Sequence, residues 1–161
     1  MVPKLFHRIW LGDKEMPHEF LKYGESWQKH HPNWTMKLWN EDNLPDLINQ
    51  RYLDECNNYS EKSDLIRYEL LYKYGGIYLD CDFECYKNIE PLIKDKSLFV
   101  STENNHHLCG GFIGSIPQHP VIKRVISKIP RSLHLNKDKT SDLRIGPTFL
   151  TKTVRKNEIV V

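Results

Sequence analysis

Apolar positions along this chain switch between a strand-like and a helical rhythm. Lys4-Leu5-Phe6-His7-Arg8-Ile9-Trp10-Leu11 is rich in β-branched and aromatic residues and closes on Gly12-Asp13, which predicts a first strand. Phe20, Tyr23, Gly24 and Trp27 then recur at helical spacing from Pro17 to about His30, with a stop at His31-Pro32. Trp34 to Trp39 predicts a second short strand, and the turn-rich Asn40-Glu41-Asp42-Asn43 leads to a weak helix over Leu44 to Leu53. The clearest helix covers Asp64 to Tyr74, with Ser60 as N-cap and Gly75 at the left-handed C-terminal position. Gly76 follows, and Ile77-Tyr78-Leu79 is a short apolar strand that runs straight into Asp80-Cys81-Asp82.

Beyond this point the pattern predicts a short helix around Leu92-Ile93, strands at Leu98-Phe99-Val100 and Phe112-Ile113, and a helix opened by Pro120 that carries Val121, Val125 and Ile126. Another short helix starts at Thr148, and the chain ends on Ile159-Val160-Val161, which reads as an edge strand or one cut short. Strands alternating with helices predict a single α/β domain over residues 1–161, a sheet with helices on its faces. There is no internal repeat, low-complexity tract or linker.

Composition narrows the class. With 39% apolar and 27% charged residues the chain reads as globular, which excludes disorder throughout. A net charge of +2 and a pI near 8.3 are too mild, and too evenly spread, to argue for nucleic acid. The basic pairs Lys94/Lys96 and Lys137/Lys139 are interrupted by acids and read as solvated surface. No stretch approaches the roughly 18 apolar residues of a membrane span, and the N-terminus lacks the apolar core of a secretory signal. Cys56, Cys81, Cys85 and Cys109 follow neither zinc-finger nor disulfide-scaffold spacing. The expectation is a cytoplasmic protein with reduced, mostly buried thiols, able to work at the inner face of a membrane.

The candidate chemistry centres on Asp80 and Asp82. Side chains two apart on an extended strand share a face, so two carboxylates are expected side by side where a buried strand ends. Ligands of open α/β sheets bind at such strand ends. Like charges so close call for a cation between them, and a hard divalent ion, Mn²⁺ or Mg²⁺, shared with a diphosphate answers that need. Asp64 and Arg67 lie one helical turn apart. Either Arg67 reaches a phosphate and Asp64 a sugar or ribose hydroxyl, or the two form an intrahelical salt bridge. Trp10 is placed either to stack on a nucleobase or to pack in the core. His7 reads as a core histidine, His106, His107 and Cys109 as loop residues, and Gly110-Gly111 as a closely approached loop before the Phe112 strand.

Four segments together resemble glycosyltransferase family 32, the sugar transferases that carry a DXD motif. They are Pro3 to Gly12; Ser26-Trp27 with His31-Pro32-Asn33-Trp34 and Leu38-Trp39; Lys62 to Tyr68 with Leu70-Leu71-Tyr72 and Tyr74 to Asp82; and Gly111 to Ser115 with His119-Pro120 and Gly146-Pro147. The resemblance implies a GT-A fold, a Rossmann-like nucleotide-diphospho-sugar transferase with a mixed, mostly parallel sheet. It also implies Mn²⁺ or Mg²⁺ on Asp80 and Asp82, and donor contacts from Ile9, Trp10, Ser63, Asp64, Arg67 and Asp80. Asp80, Asp82 and Arg67 would carry catalysis. The implied reaction moves a hexose from a UDP- or GDP-sugar to the hydroxyl of a glycan or glycolipid, with retention, in polysaccharide, capsule or surface-glycan synthesis. Many relatives carry Asn where this chain has Gly111, and the family domain usually continues past Gly146-Pro147, so a C-terminally truncated domain is expected.

Two other readings compete. A phosphohydrolase of the haloacid dehalogenase type also ends an apolar strand in two acids. It needs that strand near the N-terminus and a Thr or Val two residues after the second acid, where this chain has Glu84. A truncated domain that binds nucleotide sugar without turnover is the other.

Overall fold

The computed structural model describes residues 1–103 and 107–154. His106 and the apolar end Ile159-Val160-Val161 lie outside the described residues. Strands β1 (Leu5–Ile9), β2 (Thr35–Trp39), β3 (Gly76–Leu79), β4 (Leu98–Glu103) and β5 (His107–Ser115) form a sheet in the order β2-β1-β3-β5-β4. β1 pairs in parallel with β2 and with β3, and β5 runs antiparallel to both β3 and β4, so β5 alone is reversed. The sheet is mixed and mostly parallel by strand direction, as the sequence leads one to expect.

Period-two alternation distributes the core to both faces of the sheet. Phe6, Ile77 and Leu79 face one cluster, built with Trp27 of helix α1 (His18–His30), Trp34, and Ile93 of α3 (Glu90–Ile93). Ile9 and Tyr78 face the other, built on α2 (Tyr59–Tyr74), α4 (Pro120–Leu135) and α6 (Pro147–Thr153), with α5 (Ser141–Arg144) beside them. No helix among the described residues is long and apolar enough to cross a membrane.

α2 lies inside the molecule, with an unbroken buried run from Asp64 to Leu71. A helix buried all round must pair its charged side chains, because an unpaired buried charge is strongly disfavoured. Glu61 Oε1 accepts from Arg144 Nε at 2.9 Å, both groups fully enclosed, and Arg144 also donates to the Glu55 and Lys137 carbonyls. Glu69 accepts the Ile48 and Asn49 backbone N–H groups at 3.0 and 2.9 Å. Asn49 in turn donates to Ile126 O at 3.0 Å. Ile126 O is the carbonyl left without its helical donor because Pro130 lies inside α4 and has no N–H. One side chain of the Asn49 loop thus makes that proline tolerable.

Several predicted boundaries move. The N-cap of α2 is Asn58, whose side chain accepts from Glu61 N–H, while Ser60 lies within the helix. The helix expected over Leu44 to Leu53 is a 3-10 turn at Gln50–Glu55. Pro45 interrupts its start, and Glu69 draws off backbone donors that a longer helix would use. His107, Cys109, Gly110 and Gly111 belong to β5, not to a loop. Gly75 holds the expected left-handed C-terminal position (φ 64°), and Gly76 follows at φ 96°. A Cβ on Gly76 would stand 2.4 Å from Leu5 O, so the pair lets β3 enter the sheet hard against β1.

His7 is a core residue, as read from the sequence. It is fully buried, with Trp39 Nε1 donating to Nδ1 at 3.0 Å and Gly75 O 2.7 Å from Nε2. Nδ1 must accept, so Nε2 carries the proton and donates to Gly75 O, and the ring is neutral. Burial lowers its pKa from 6.5 to about 4, against the opposing Gly75 bond.

Two predictions follow from these buried groups. The His7 pKa is depressed on folding, so the unfolded chain binds the extra proton between the two values. Its contribution is complete above pH 6.5 and is lost as pH falls toward 4. The stability gap between the wild type and His7→Gln, measured by urea unfolding, should therefore shrink by roughly 3 kcal/mol from pH 7 to pH 4. A gap that stays constant with pH would show that the imidazole is not held neutral. Separately, Arg144→Met should cost about 3–5 kcal/mol by stranding the Glu61 carboxylate. Adding Glu61→Gln should recover part of that loss in the same assay, and a double variant less stable than Arg144→Met would contradict the pairing.

Candidate active site

The C-terminal ends of β1 and β3 open onto a cleft of about 480 Å³. Ile9 to Lys14 form one wall, Tyr59, Ser60, Ser63 and Arg67 of α2 another, and Tyr78 with Asp80-Cys81-Asp82 the floor and lip. Ligands of open α/β sheets bind outside the C-terminal ends of their strands, which is where this cleft lies.

The acidic pair is placed differently from the period-two expectation. Asp80 N–H still donates to Gly111 O at 2.8 Å, but the chain then closes a turn, Phe83 N–H to Asp80 O at 3.2 Å. Extended geometry ends at Leu79, so Asp80 is the last residue tied to the sheet and Asp82 rides the turn. Both still face the same cleft.

Arg67 organises the floor. Its Nη2 lies 3.0 Å from Asp64 Oδ1 and 3.3 Å from Asp80 Oδ1, and its Nε donates to Ser63 O at 3.4 Å. The guanidinium centre sits 4.3 Å over the Tyr78 ring, and the Tyr78 hydroxyl donates to Asp80 Oδ1 at 2.8 Å. Most donors of this side chain are therefore spent on the protein, and both alternatives raised from the sequence are modified. The Asp64–Arg67 salt bridge exists, but it extends to Asp80 and fixes that carboxylate. Asp64 is buried behind Arg67 and is not among the residues that wall the cleft. Burial pushes the Asp64 carboxyl up to about 6, with Arg67 opposing and Asp80 adding to the rise. Burial also works against the Arg67 charge, but Tyr78, Asp64 and Asp80 outweigh it and hold the guanidinium protonated.

Asp82 is the contrast. It is exposed and makes no hydrogen bond or ion pair with a described residue. Among the described residues no group of three or more His, Cys, Asp or Glu converges to enclose an ion. The donor set is thus one free carboxylate beside one fixed carboxylate, all oxygen. That suits Mg²⁺ or Mn²⁺, which are bound by one or two carboxylates and complete their shell with water and substrate phosphate.

Trp10 is half-buried at the cleft wall, its Nε1 donating to Lys14 O at 2.6 Å and its ring edge-on to Phe20 at 6.0 Å. It packs partly against its neighbours and still presents surface to the cleft. Ile9 and Ser63 line the same space.

The match to known proteins spans the elements just described. Residues 17–99, just over half of the chain, match the family described as the glycosyltransferase sugar-binding region containing the DXD motif. The chain belongs to this DXD glycosyltransferase family. Among its relatives are an inositol phosphoceramide mannosyltransferase of Schizosaccharomyces pombe (26% identity over 93% of this chain and 50% of the relative) and a mannosyl phosphorylinositol ceramide synthase of Saccharomyces cerevisiae (30%, over 80% and 35%). A glycosyltransferase of Acanthamoeba polyphaga mimivirus is 30% identical over 80% of this chain and 56% of its own length. The chain thus spans about half, or less, of the first two of these relatives. The solved PaToxG glycosyltransferase superposes with a TM-score of 0.77 over 94% of this chain and 67% of its own, at 18% identity. The fold is that of the GT-A transferases.

The DXD family's second segment has a visible purpose here. Trp27 Nε1 donates to Phe83 O at 2.8 Å, and Ser26 Oγ accepts Cys85 N–H at 2.8 Å. His31 Nε2 accepts Ile89 N–H at 2.9 Å. Arg8, buried, donates to Phe20 O and Cys81 O at 2.6 and 2.9 Å. Together these clasp the acidic turn to α1. Sequence reasoning did not identify Tyr78, Arg8, Tyr59 or Lys14 as parts of the site. Tyr78 was detectable, since it lies two residues before Asp80 on the same strand face. Lys14 and Tyr59 both line the cleft, and no periodic signal marks them.

β5 brings its glycines against this floor. A Cβ at Gly110 would stand 2.7 Å from Arg67 Nη1, and one at Gly111 2.4 Å from Asp80 Oδ2. Gly111→Ala should therefore displace the Asp80 carboxylate rather than unfold the protein. Nucleotide affinity should fall about tenfold or more while the melting temperature moves only a few degrees. Unchanged affinity in calorimetric titration would mean that Asp80 need not hold its position.

Proposed function

We propose that this chain is the donor-binding part of a metal-dependent transferase. It moves a hexose from a UDP- or GDP-sugar to a hydroxyl of a glycan or glycolipid, in polysaccharide or surface-glycan assembly. The observation that carries the reading is the pairing of a free carboxylate, Asp82, with a carboxylate locked in place by Arg67 and Tyr78, at the lip of a cleft large enough for a nucleotide. Family membership makes sugar transfer the chemistry to test, and the relatives' names put mannose first among the hexoses.

Each residue has a task set by its surroundings. Asp80 and Asp82 would hold Mn²⁺ or Mg²⁺, which when bound neutralises the charge that builds on a departing diphosphate. Arg67 and Tyr78 keep Asp80 aimed without requiring it to move when ligand arrives, and Asp64 holds the Arg67 guanidinium in place. Trp10 offers an aromatic face to the base, with its indole N–H already satisfied, so stacking breaks no hydrogen bond. Ile9 and Leu11 make that end of the cleft apolar and strengthen polar contacts deeper in. Retention of anomeric configuration rests on the family resemblance.

Calorimetry with UDP, GDP and their sugars, with and without Mn²⁺, tests this directly. One nucleotide should bind in a metal-dependent way, and Asp82→Asn should weaken that binding by about a hundredfold, with folding unaffected because Asp82 supports no described contact. Metal-independent binding of equal strength, or full binding by Asp82→Asn, would refute the assignment.

A further inference from the structure

Far along the chain from the acidic turn, α4 gathers cations that look scattered in the sequence. Pro120–Leu135 contains no Asp or Glu. Its apolar stripe, Val121, Ile122, Val125, Ile126, Ile129 and Leu133, is buried in the core. That burial turns Lys123, Lys128 and Arg131 outward together. Between α4 and α6 lies a groove of about 420 Å³. Lys128 and Arg131 stand along it with exposed Lys152 of α6, and none of the three is in an ion pair with a described residue. Among the described residues the groove has no acidic side chain, and Phe149, Leu143 and Leu135 give it an apolar lining. Leu135 is 64% exposed at the helix end, where an aliphatic side chain gains nothing from water.

We propose that this face docks on a membrane surface bearing anionic phospholipids. Lys128, Arg131 and Lys152 meet phosphodiester headgroups, and Leu135 enters the boundary with the acyl chains. Two features favour lipid over nucleic acid, the other polyanion such a face could meet. Leu135, the exposed apolar residue, is aliphatic, and the Phe149 ring is buried, so no Phe, Tyr or Trp face of this groove is open for a base to stack on. Leu135, Leu143 and Phe149 set hydrocarbon beside the cations in the groove, which suits an amphiphile better than a sugar-phosphate backbone. The overall charge of +2 would not attract a membrane by itself, so the concentration of cations on one face matters. The inference does not depend on which nucleotide or sugar the cleft takes.

Co-sedimentation with vesicles tests it. The chain should pellet with phosphatidylcholine–phosphatidylserine vesicles, not with phosphatidylcholine alone, and less so as salt is raised. The triple variant Lys128→Glu, Arg131→Glu, Lys152→Glu should bind on the order of a hundredfold more weakly, since each basic residue at such a surface contributes about fivefold. A charge-matched control, Lys22→Glu, Lys29→Glu, Lys87→Glu, carries exposed substitutions elsewhere and should keep most of the binding. Leu135→Ala should weaken binding without altering its salt dependence. Thermal unfolding of each variant confirms that the fold is intact. Equal binding to neutral vesicles, equal loss in the control, or preference for a nucleic acid over anionic vesicles at matched salt would overturn the proposal.

Discussion

A guanidinium buried between two carboxylates is the constraint around which this domain is arranged. Arg67 cannot leave water without partners, and Asp64 on its own helix satisfies only part of that need. The remainder is supplied by Asp80 and by the face of Tyr78, both at the end of β3. Burying α2 therefore fixes where β3 must end and which way its last carboxylate points. The reversed strand β5 then has to pass close by, and it does so on two glycines. Packing, electrostatics and backbone choice agree here, as they must where a rigid site is built on rigid elements.

The same logic recurs around α2. Glu61 meets Arg144, and Glu69 meets the backbone of the Asn49 loop, so each buried charge recruits a different stretch of chain. Buried pairs of this kind are weak sources of net stability but strong penalties against alternatives that leave one member alone. The helix thereby specifies its neighbours more than it strengthens them.

Much of this could be read from the sequence, and the reasons for the misses are physical. The strands and the longer helices were legible because burial imposes periods of two and of about 3.6 on their apolar residues. Gly75 was legible because only a left-handed residue ends that helix and lets β3 begin at once. The extent of β5 was hidden, since Gly110 and Gly111 look like loop residues until Arg67 and Asp80 are seen to occupy the space their side chains would take. The N-cap of α2 was misplaced because Asn58, Ser60 and Ser63 are all plausible caps, and only the buried Glu61 decides among them. In the cleft, Asp80, Asp82 and Trp10 were identifiable by type and position, and Ile9 and Ser63 only through the family resemblance. Asp64 proved to stand one layer deeper, paired with the Arg67 guanidinium and covered by it.

Arg8 has a consequence for motion. Its guanidinium grips a carbonyl in the first turn of α1 and another in the middle of the acidic turn, while Trp27 and Ser26 hold the chain immediately beyond. Those ties make the acidic turn and α1 a single mechanical part. That part carries Phe20, whose ring lies edge-on to Trp10 at 6.0 Å. The aromatic wall and the acidic lip of the cleft therefore hang from one helix.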